Sequence, residues 1–287
     1  MNRREFMRTM SGAALAASFP YHLLAAATPR AATDRLTLGP RKIPLSRLAM
    51  GTGSNGWGRN SNQTRKLGLE GLAAHLQAAY ADGVTFWDAA DQYGTHPHLA
   101  QALKNGVPRD KVTIMTKSTS STYKDMKADI DRFRKELGTD YLDILLLHCM
   151  TDADWNVKRR GAMDAISEAQ EKGIVKSHGV SCHSLDALKT AAAEPWVEID
   201  LARINPDQVQ MDAPPDTVLG LLRQMKASGK GVIGMKILGA GKLATQQDRA
   251  LQYSLALDCI DCFTIGTESR EQFQDIVKRI PAASTRG

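Results

Sequence analysis

Four side chains in this sequence, Asp88, Tyr93, Lys117 and His148, are of types and spacings that suit proton transfer to and from oxygen. Asp88 closes the apolar, β-branched run 84–87, and Tyr93 follows five residues later in a loop. Lys117 closes the run 112–116, and His148 closes 144–147. Singly, each has a plain structural reading: a turn cap, a rim aromatic, a lysine snorkelling to the surface, a core histidine. Together, at the ends of successive predicted strands, they form a constellation that is hard to explain by stability. A carboxylate beside a buried ammonium is costly to desolvate and is seldom kept for stability alone. A phenol with a pKa of about 10 is a poor proton donor at neutral pH. A lysine cation nearby favours the phenolate and lowers that pKa, and an aspartate holds the lysine charged and oriented. Tyr93 can then protonate a developing alkoxide, while a neutral His148 hydrogen-bonds the carbonyl oxygen and orients it.

These residues need elements to position them. Short apolar strands are predicted at 48–51, 84–88, 112–117, 141–148, 176–181, 208–211, 232–235 and 262–266, alternating with amphipathic helices such as 69–80, 123–137, 162–172, 218–228 and 270–280. In the first helix Leu72, His75, Leu76 and Ala79 fall on one face. Helix stops are marked by Asp82-Gly83, Leu137-Gly138, Lys172-Gly173 and Ser228-Gly229. Eight strands at a repeat of roughly thirty residues predict a closed (β/α)8 TIM barrel. The alternating segment 36–45 around Gly39-Pro40 predicts an N-terminal β-hairpin across its bottom. A doubly wound open sheet is the competitor; it wants a helix directly after a glycine turn, and the stretch 51–56 lacks one. In a barrel the chemistry belongs at the strands' C-terminal ends, where Asp88, Lys117, His148 and Ser181 stand and Gln208 enters the sixth strand. No side chain delivers hydride, so the constellation also calls for a nicotinamide cofactor.

From Leu36 to about Ile280 the chain resembles the aldo-keto reductases. The run Asp88-Ala89-Ala90-Asp91-Gln92-Tyr93 matches that family's Asp-x-Ala-x-x-Tyr, Thr116-Lys117 its catalytic lysine and Leu147-His148 its catalytic histidine. The resemblance implies a barrel enzyme that reduces a small aldehyde or ketone with NADP(H), NAD(H) being the other choice. It implies catalytic roles for Asp88, Tyr93, Lys117 and His148. It also implies a cofactor site formed by Gly51, Thr52, Ser181, Gln208, Met235, Lys236, Leu238, Gly239, Gly241 and Gly266. Cys182 stands where the family's motif has an asparagine that holds the carboxamide, and Met235 stands where an aromatic often lies under the ring. The lysine of many NADP-dependent members is missing from 265–270, where Glu268 is placed to repel a 2′-phosphate. Trp57, Trp87, His96, Met150 and Trp155 are expected to line an apolar mouth, and the short 241–249 loop predicts an open, permissive site.

The remaining signals concern address and alternatives. Residues 2–8, Asn-Arg-Arg-Glu-Phe-Met-Arg, precede a modest apolar stretch and small residues, and resemble a twin-arginine (Tat) signal. Residues 1–32 are therefore expected to be a signal peptide and 33–287 the barrel, exported to the periplasm by the Tat machinery after folding around its cofactor. The net charge is +6, of which Arg3, Arg4, Arg8 and Arg30 less Glu5 supply +3, and the remaining basic residues are interleaved with acids, so nucleic acid is not an expected partner. No membrane span is expected in the mature form. Cys149 and Cys182, with His183 and His96 or His98, offer an alternative thiol or metal redox protein. A non-enzymatic nucleotide-binding barrel is a second alternative.

Overall fold

The computed structural model describes residues 29–285. Strands β1 (Arg35–Leu38) and β2 (Ile43–Ser46) form an antiparallel hairpin, with Leu38 opposite Ile43. The barrel strands are β3 (Leu48–Gly51), β4 (Phe86–Asp88), β5 (Thr113–Ser118), β6 (Leu142–Met150), β7 (Val175–Cys182), β8 (Ile199–Arg203), β9 (Gly231–Met235) and β10 (Cys262–Gly266). All pair in parallel with their chain neighbours, and β10 closes the ring against β3. Helices α1 (Asn62–Ala81), α2 (His96–Lys104), α3 (Tyr123–Leu137), α4 (Trp155–Lys158), α5 (Arg160–Glu171), α6 (Leu185–Ala193), α7 (Pro215–Ala227), α8 (Gln247–Ala256) and α9 (Arg270–Ser284) fill the connections. The expected (β/α)8 barrel with its N-terminal hairpin is the observed fold.

The two-residue period of the strands sorts their side chains into two cores. Ala49, Phe86, Met115, Ile144, Leu146, Ile199, Leu201, Ile233 and Cys262 point into the barrel and pack there with Leu38, Ile43 and Leu45 of the hairpin. Leu48, Trp87, Ile114, Leu145, Leu147, Val180 and Phe263 point out against the helices. Each fully buried apolar side chain of this size contributes about 1.5–3 kcal/mol. The hairpin thus seals the bottom as the sequence predicts. Its seat depends on Gly231, where a Cβ would lie 2.8 Å from Leu38. The helices start on side-chain caps where the sequence offers them: Ser61, Thr122, Ser184 and Ser269 each accept from a backbone N–H of the first turn. In α1 the predicted face Leu72, His75, Leu76 and Ala79 is buried.

One strand lies elsewhere than predicted. The sixth barrel strand is Ile199–Arg203, not 208–211. Gln208 and Gln210 have φ of 59° and 54°, the left-handed region, so 208–211 is a turn beyond the strand and Gln208 is exposed. The true strand was disguised by a buried acid, Asp200, as its second residue and an arginine at its end. The predicted targeting segment lies outside the described residues except for its last four. Of these, Ala32 is buried in the outer core and the Arg30 N–H donates to Ser284 Oγ at 2.9 Å.

Candidate active site

Strand parity brings the predicted constellation together. Asp88 follows inward-facing Phe86 by two residues, Lys117 follows Met115, and His148 follows Leu146, so all three reach the barrel mouth. Tyr93 comes from the 3₁₀ turn Asp91–Tyr93 just after β4. Lys117 is fully buried, and its Nζ donates to Asp88 Oδ1 and, at 2.7 Å, to the Ala89 carbonyl. The same Nζ lies 4.7 Å from the centre of the Tyr93 ring. Asp88 Oδ2 accepts from Thr264 Oγ1 at 2.8 Å, and the Asp88 carbonyl accepts from the N–H and hydroxyl of Thr52 at 3.0 and 2.8 Å. The Tyr93 and His148 rings meet edge to face, 5.5 Å apart. On its far side the Tyr93 ring lies flat against the 53–56 loop, where a Cβ on Gly53 would sit 2.2 Å from the ring.

The electrostatics corrects one expectation. Burial pushes the Tyr93 phenol above its usual pKa, and although the Lys117 cation pulls it down as predicted, the net shift is upward. Desolvation by burial is the larger effect, so the phenol is firmly protonated. For Lys117, burial opposes the charge, but Asp88 and Tyr93 together raise its pKa, and it remains an ammonium. His148 is lowered well below its usual value by burial first and then by the charges of Lys117, His183 and Lys236, which keeps it neutral. Its Nδ1 is buried and has no partner among the described residues.

From this cluster a groove of about 350 Å³ runs outward between the ends of β3, β9 and β10. Of the predicted cofactor residues, Gly51, Met235, Lys236, Leu238, Gly241 and Gly266 line it. Gly239 is the buried first residue of the 3₁₀ turn Gly239–Gly241 and lies against Val209, and Thr52 fastens Asp88 rather than facing the groove. Ser181 sits at the mouth, where its Oγ accepts from the Cys149 N–H at 2.9 Å. Gln208 stands away from both. Lys236, at φ 59°, forms no ion pair with a carboxylate among the described residues. Isoleucines 237, 265 and 276 supply apolar walls, and the far end carries Asn62, Glu268, Gln272 and Asp275. There Asn62 Nδ2 donates to Glu268 Oε1 at 2.6 Å and Lys66 pairs with Oε2, so hydrogen bonding to Lys66 lowers the Glu268 pKa. A groove with an apolar wall, the Lys236 side chain on its lining and polar groups at its far end could hold a dinucleotide.

Sequence reasoning misplaced the mouth lining. Trp87, Met150 and Trp155 are buried in the outer core, and Trp155 Nε1 donates to the Ala187 carbonyl. His96 is bound to Thr116 Oγ1 at 2.6 Å and to Glu136 at 2.7 Å. Of the five, Trp57 alone meets the site, with its ring 6.3 Å from that of His148. Cys149 and His183 lie next to the site instead, Cys149 being the chain neighbour of His148 and bonded to Ser181. Cys149 Sγ contacts His183 Nδ1 at 3.1 Å, while Cys182 Sγ turns to Asp200 Oδ1 at 3.7 Å. All four cysteines are unpaired, and burial raises the thiol pKa of each, which disfavours the reactive thiolate. Among the described residues the one convergence of three ligand-type side chains is Asp91, His96 and Glu136. Arg59 and Arg132 already bond to its two carboxylates at 2.7–3.1 Å.

Comparison with known proteins agrees with this geometry. The sequence profile of the Aldo/keto reductase family matches residues 47–278. An "Aldo-keto reductase" of Mycobacterium avium is 32% identical over 140 residues, 45% of this chain and 46% of that protein. The chain therefore aligns with less than half the length of that relative. A "D-threo-aldose 1-dehydrogenase" of a Pseudomonas species is 23% identical over 221 residues, 66% of each chain. The holo form of an aldo-keto reductase from Bacillus halodurans superposes with a TM-score of 0.70 at 17% identity, covering 86% of this chain and 91% of its own.

Proposed function

The chain belongs to the aldo/keto reductase family, and on that premise we propose that it is an oxidoreductase that reduces a small aldehyde or ketone to the alcohol with NADP(H) or NAD(H). The observation that carries this reading is the fully buried Lys117, which binds Asp88, lies over the Tyr93 ring beside neutral His148, and sits at the head of a groove of about 350 Å³. Bound in that groove, a reduced nicotinamide supplies the hydride. The chain's own residues do the rest. His148, held neutral, donates one hydrogen bond to the substrate oxygen and fixes its position. The Tyr93 hydroxyl gives its proton to that oxygen as negative charge develops. The Lys117 ammonium, pinned by Asp88 and the Ala89 carbonyl, stabilises the resulting phenolate until water returns the proton. Met235 and Lys236 bring an apolar face and a cation to the groove wall.

Tyr93→Phe tests the assignment. It is expected to bind dinucleotide as the wild type does while losing turnover by about 10²-fold or more; full turnover in the variant would sink it. We further propose that the protein is exported to the periplasm by the Tat route, on the strength of Arg3-Arg4 and the small residues that follow. Replacing both arginines by lysine is expected to leave the protein in the cytoplasmic fraction, and unchanged export would refute the route. Among the described residues no helix is long and apolar enough to cross a membrane.

A further inference from the structure

The barrel mouth holds a polar pair that the reaction above does not use. Arg203 ends β8 with the inward parity of Ile199 and Leu201, and it is in register with Met235 of the groove wall. Its Nη2 donates to Asp212 Oδ1, and the two side chains are 15% and 1% exposed. One hydrogen-bonding atom of each is left over: Arg203 Nε and Asp212 Oδ2 are buried without a partner among the described residues. A buried ion pair offsets its desolvation only when the remaining protons and lone pairs are also bonded, and orphaned buried polar atoms call for an explanation. The pair adjoins the site, since the charges of both residues act on Cys149, the neighbour of His148, and that of Arg203 acts on His183 and Lys236. Meanwhile, of the positions that the family pattern gives to the nicotinamide carboxamide, Ser181 stays at the mouth and the other two do not serve it. The Cys182 thiol is turned to Asp200, and Gln208 is exposed in a turn.

Resting on the dinucleotide reading, we propose that Arg203 and Asp212, beside Ser181, form the seat of the nicotinamide carboxamide. Arg203 Nε–H donates to the carboxamide oxygen, and the carboxamide NH₂ donates to Asp212 Oδ2. A primary amide carries an acceptor and a donor side by side, which complements the donor and acceptor this pair leaves open. A carboxylate in the same place satisfies Arg203 but meets the charge of Asp212. A ketone satisfies Arg203 and leaves Asp212 unbonded.

The test is a set of dissociation constants, measured by calorimetry in whichever dinucleotide series, phosphorylated or not, the protein binds more tightly. The probes are the oxidised nicotinamide dinucleotide, its 3-acetylpyridine analogue, its nicotinic acid analogue, and the matching ADP-ribose, which lacks the ring. The wild type is expected to bind the nicotinamide form about tenfold more tightly than either ring analogue. The double variant R203M/D212L strands no charge. It is expected to bind all three pyridine nucleotides within about twofold of one another, with ADP-ribose binding unchanged. Should that variant not fold, Asp212→Asn serves: the nicotinic acid analogue is expected to gain on the nicotinamide form. Equal binding of the three by the wild type, or discrimination that survives in the variants, overturns the carboxamide seat but not the dinucleotide reading. Absence of binding by the dinucleotides and ADP-ribose alike overturns both.

Discussion

Removing the Lys117 ammonium tests how the site is held. Lys117→Met keeps most of the side-chain volume in a position that is 0% exposed, and it leaves Asp88, 8% exposed, with Thr264 Oγ1 as the remaining donor to its carboxylate. Stranding one partner of a buried pair costs about 3–5 kcal/mol, against at most about 1 kcal/mol for an exposed pair. In a chain of this size each kcal/mol moves Tm by about 2–4 °C, so Lys117→Met is expected to melt roughly 6–20 °C lower. Asp88→Asn in the same chain removes the stranded charge and is expected to restore about half of the loss. Circular-dichroism melts of the wild type, both single variants and the double variant at pH 7 complete the cycle. The pH dependence has a definite sign. The folded pKa of Lys117 is raised because Asp88 and Tyr93 prevail over burial, and that of Tyr93 is raised chiefly by burial. Both contributions are therefore complete below the unfolded values of 10.5 and 10.0 and are lost as the pH climbs through the folded ones. The wild type should lose stability in alkali more steeply than Lys117→Met. A cost below about 1 kcal/mol, or no recovery in the double variant, would refute a buried, mutually dependent pair.

Two further outcomes follow from the same geometry. Glu268 presents acceptor-only oxygens at the far end of the groove, suited to a ribose hydroxyl and opposed to a phosphate, so Glu268→Gln is expected to shift the ratio of NADPH to NADH affinity about five- to tenfold toward NADPH. An unchanged ratio, measured by fluorescence titration, would mean that Lys66 already carries the phosphate. Burial lowers His178 and His183 to about 4 from 6.5. Their contributions are present above pH 6.5 and lost as the pH falls toward 4, by roughly 3 kcal/mol apiece at most. Melting temperature is expected to drop across that window and to drop less in His183→Gln; a flat profile would show that these rings are not buried as neutral groups.

How far the sequence could be read depends on which forces are local. Strand period is local, so 48–51 and 262–266 were read to the residue, and the parity that sends Asp88, Lys117 and His148 into one mouth follows from counting by two. The same count shows why the tryptophans were misplaced: Trp87 is one residue from inward Asp88 and so must face the helices. Burial is not local. The upward shift of the half-buried Tyr93 depends on how much of the ring the neighbouring loops cover, with Gly53 against it, and no spacing in the chain encodes that coverage. The sixth strand failed for a third reason. Ile199-Asp200-Leu201-Ala202-Arg203 reads as a half-polar segment unless Asp200 is known to face Cys182 outside the barrel, and that contact joins two strands. Once the strand is placed, the count by two that assigns Lys117 to the mouth assigns Arg203 there as well. A basic residue ending an inward row was then a signal present in the sequence twice. It was legible once, because Asp88 and Tyr93 lie close by in the chain and Asp212 is not matched to Arg203 by any familiar spacing.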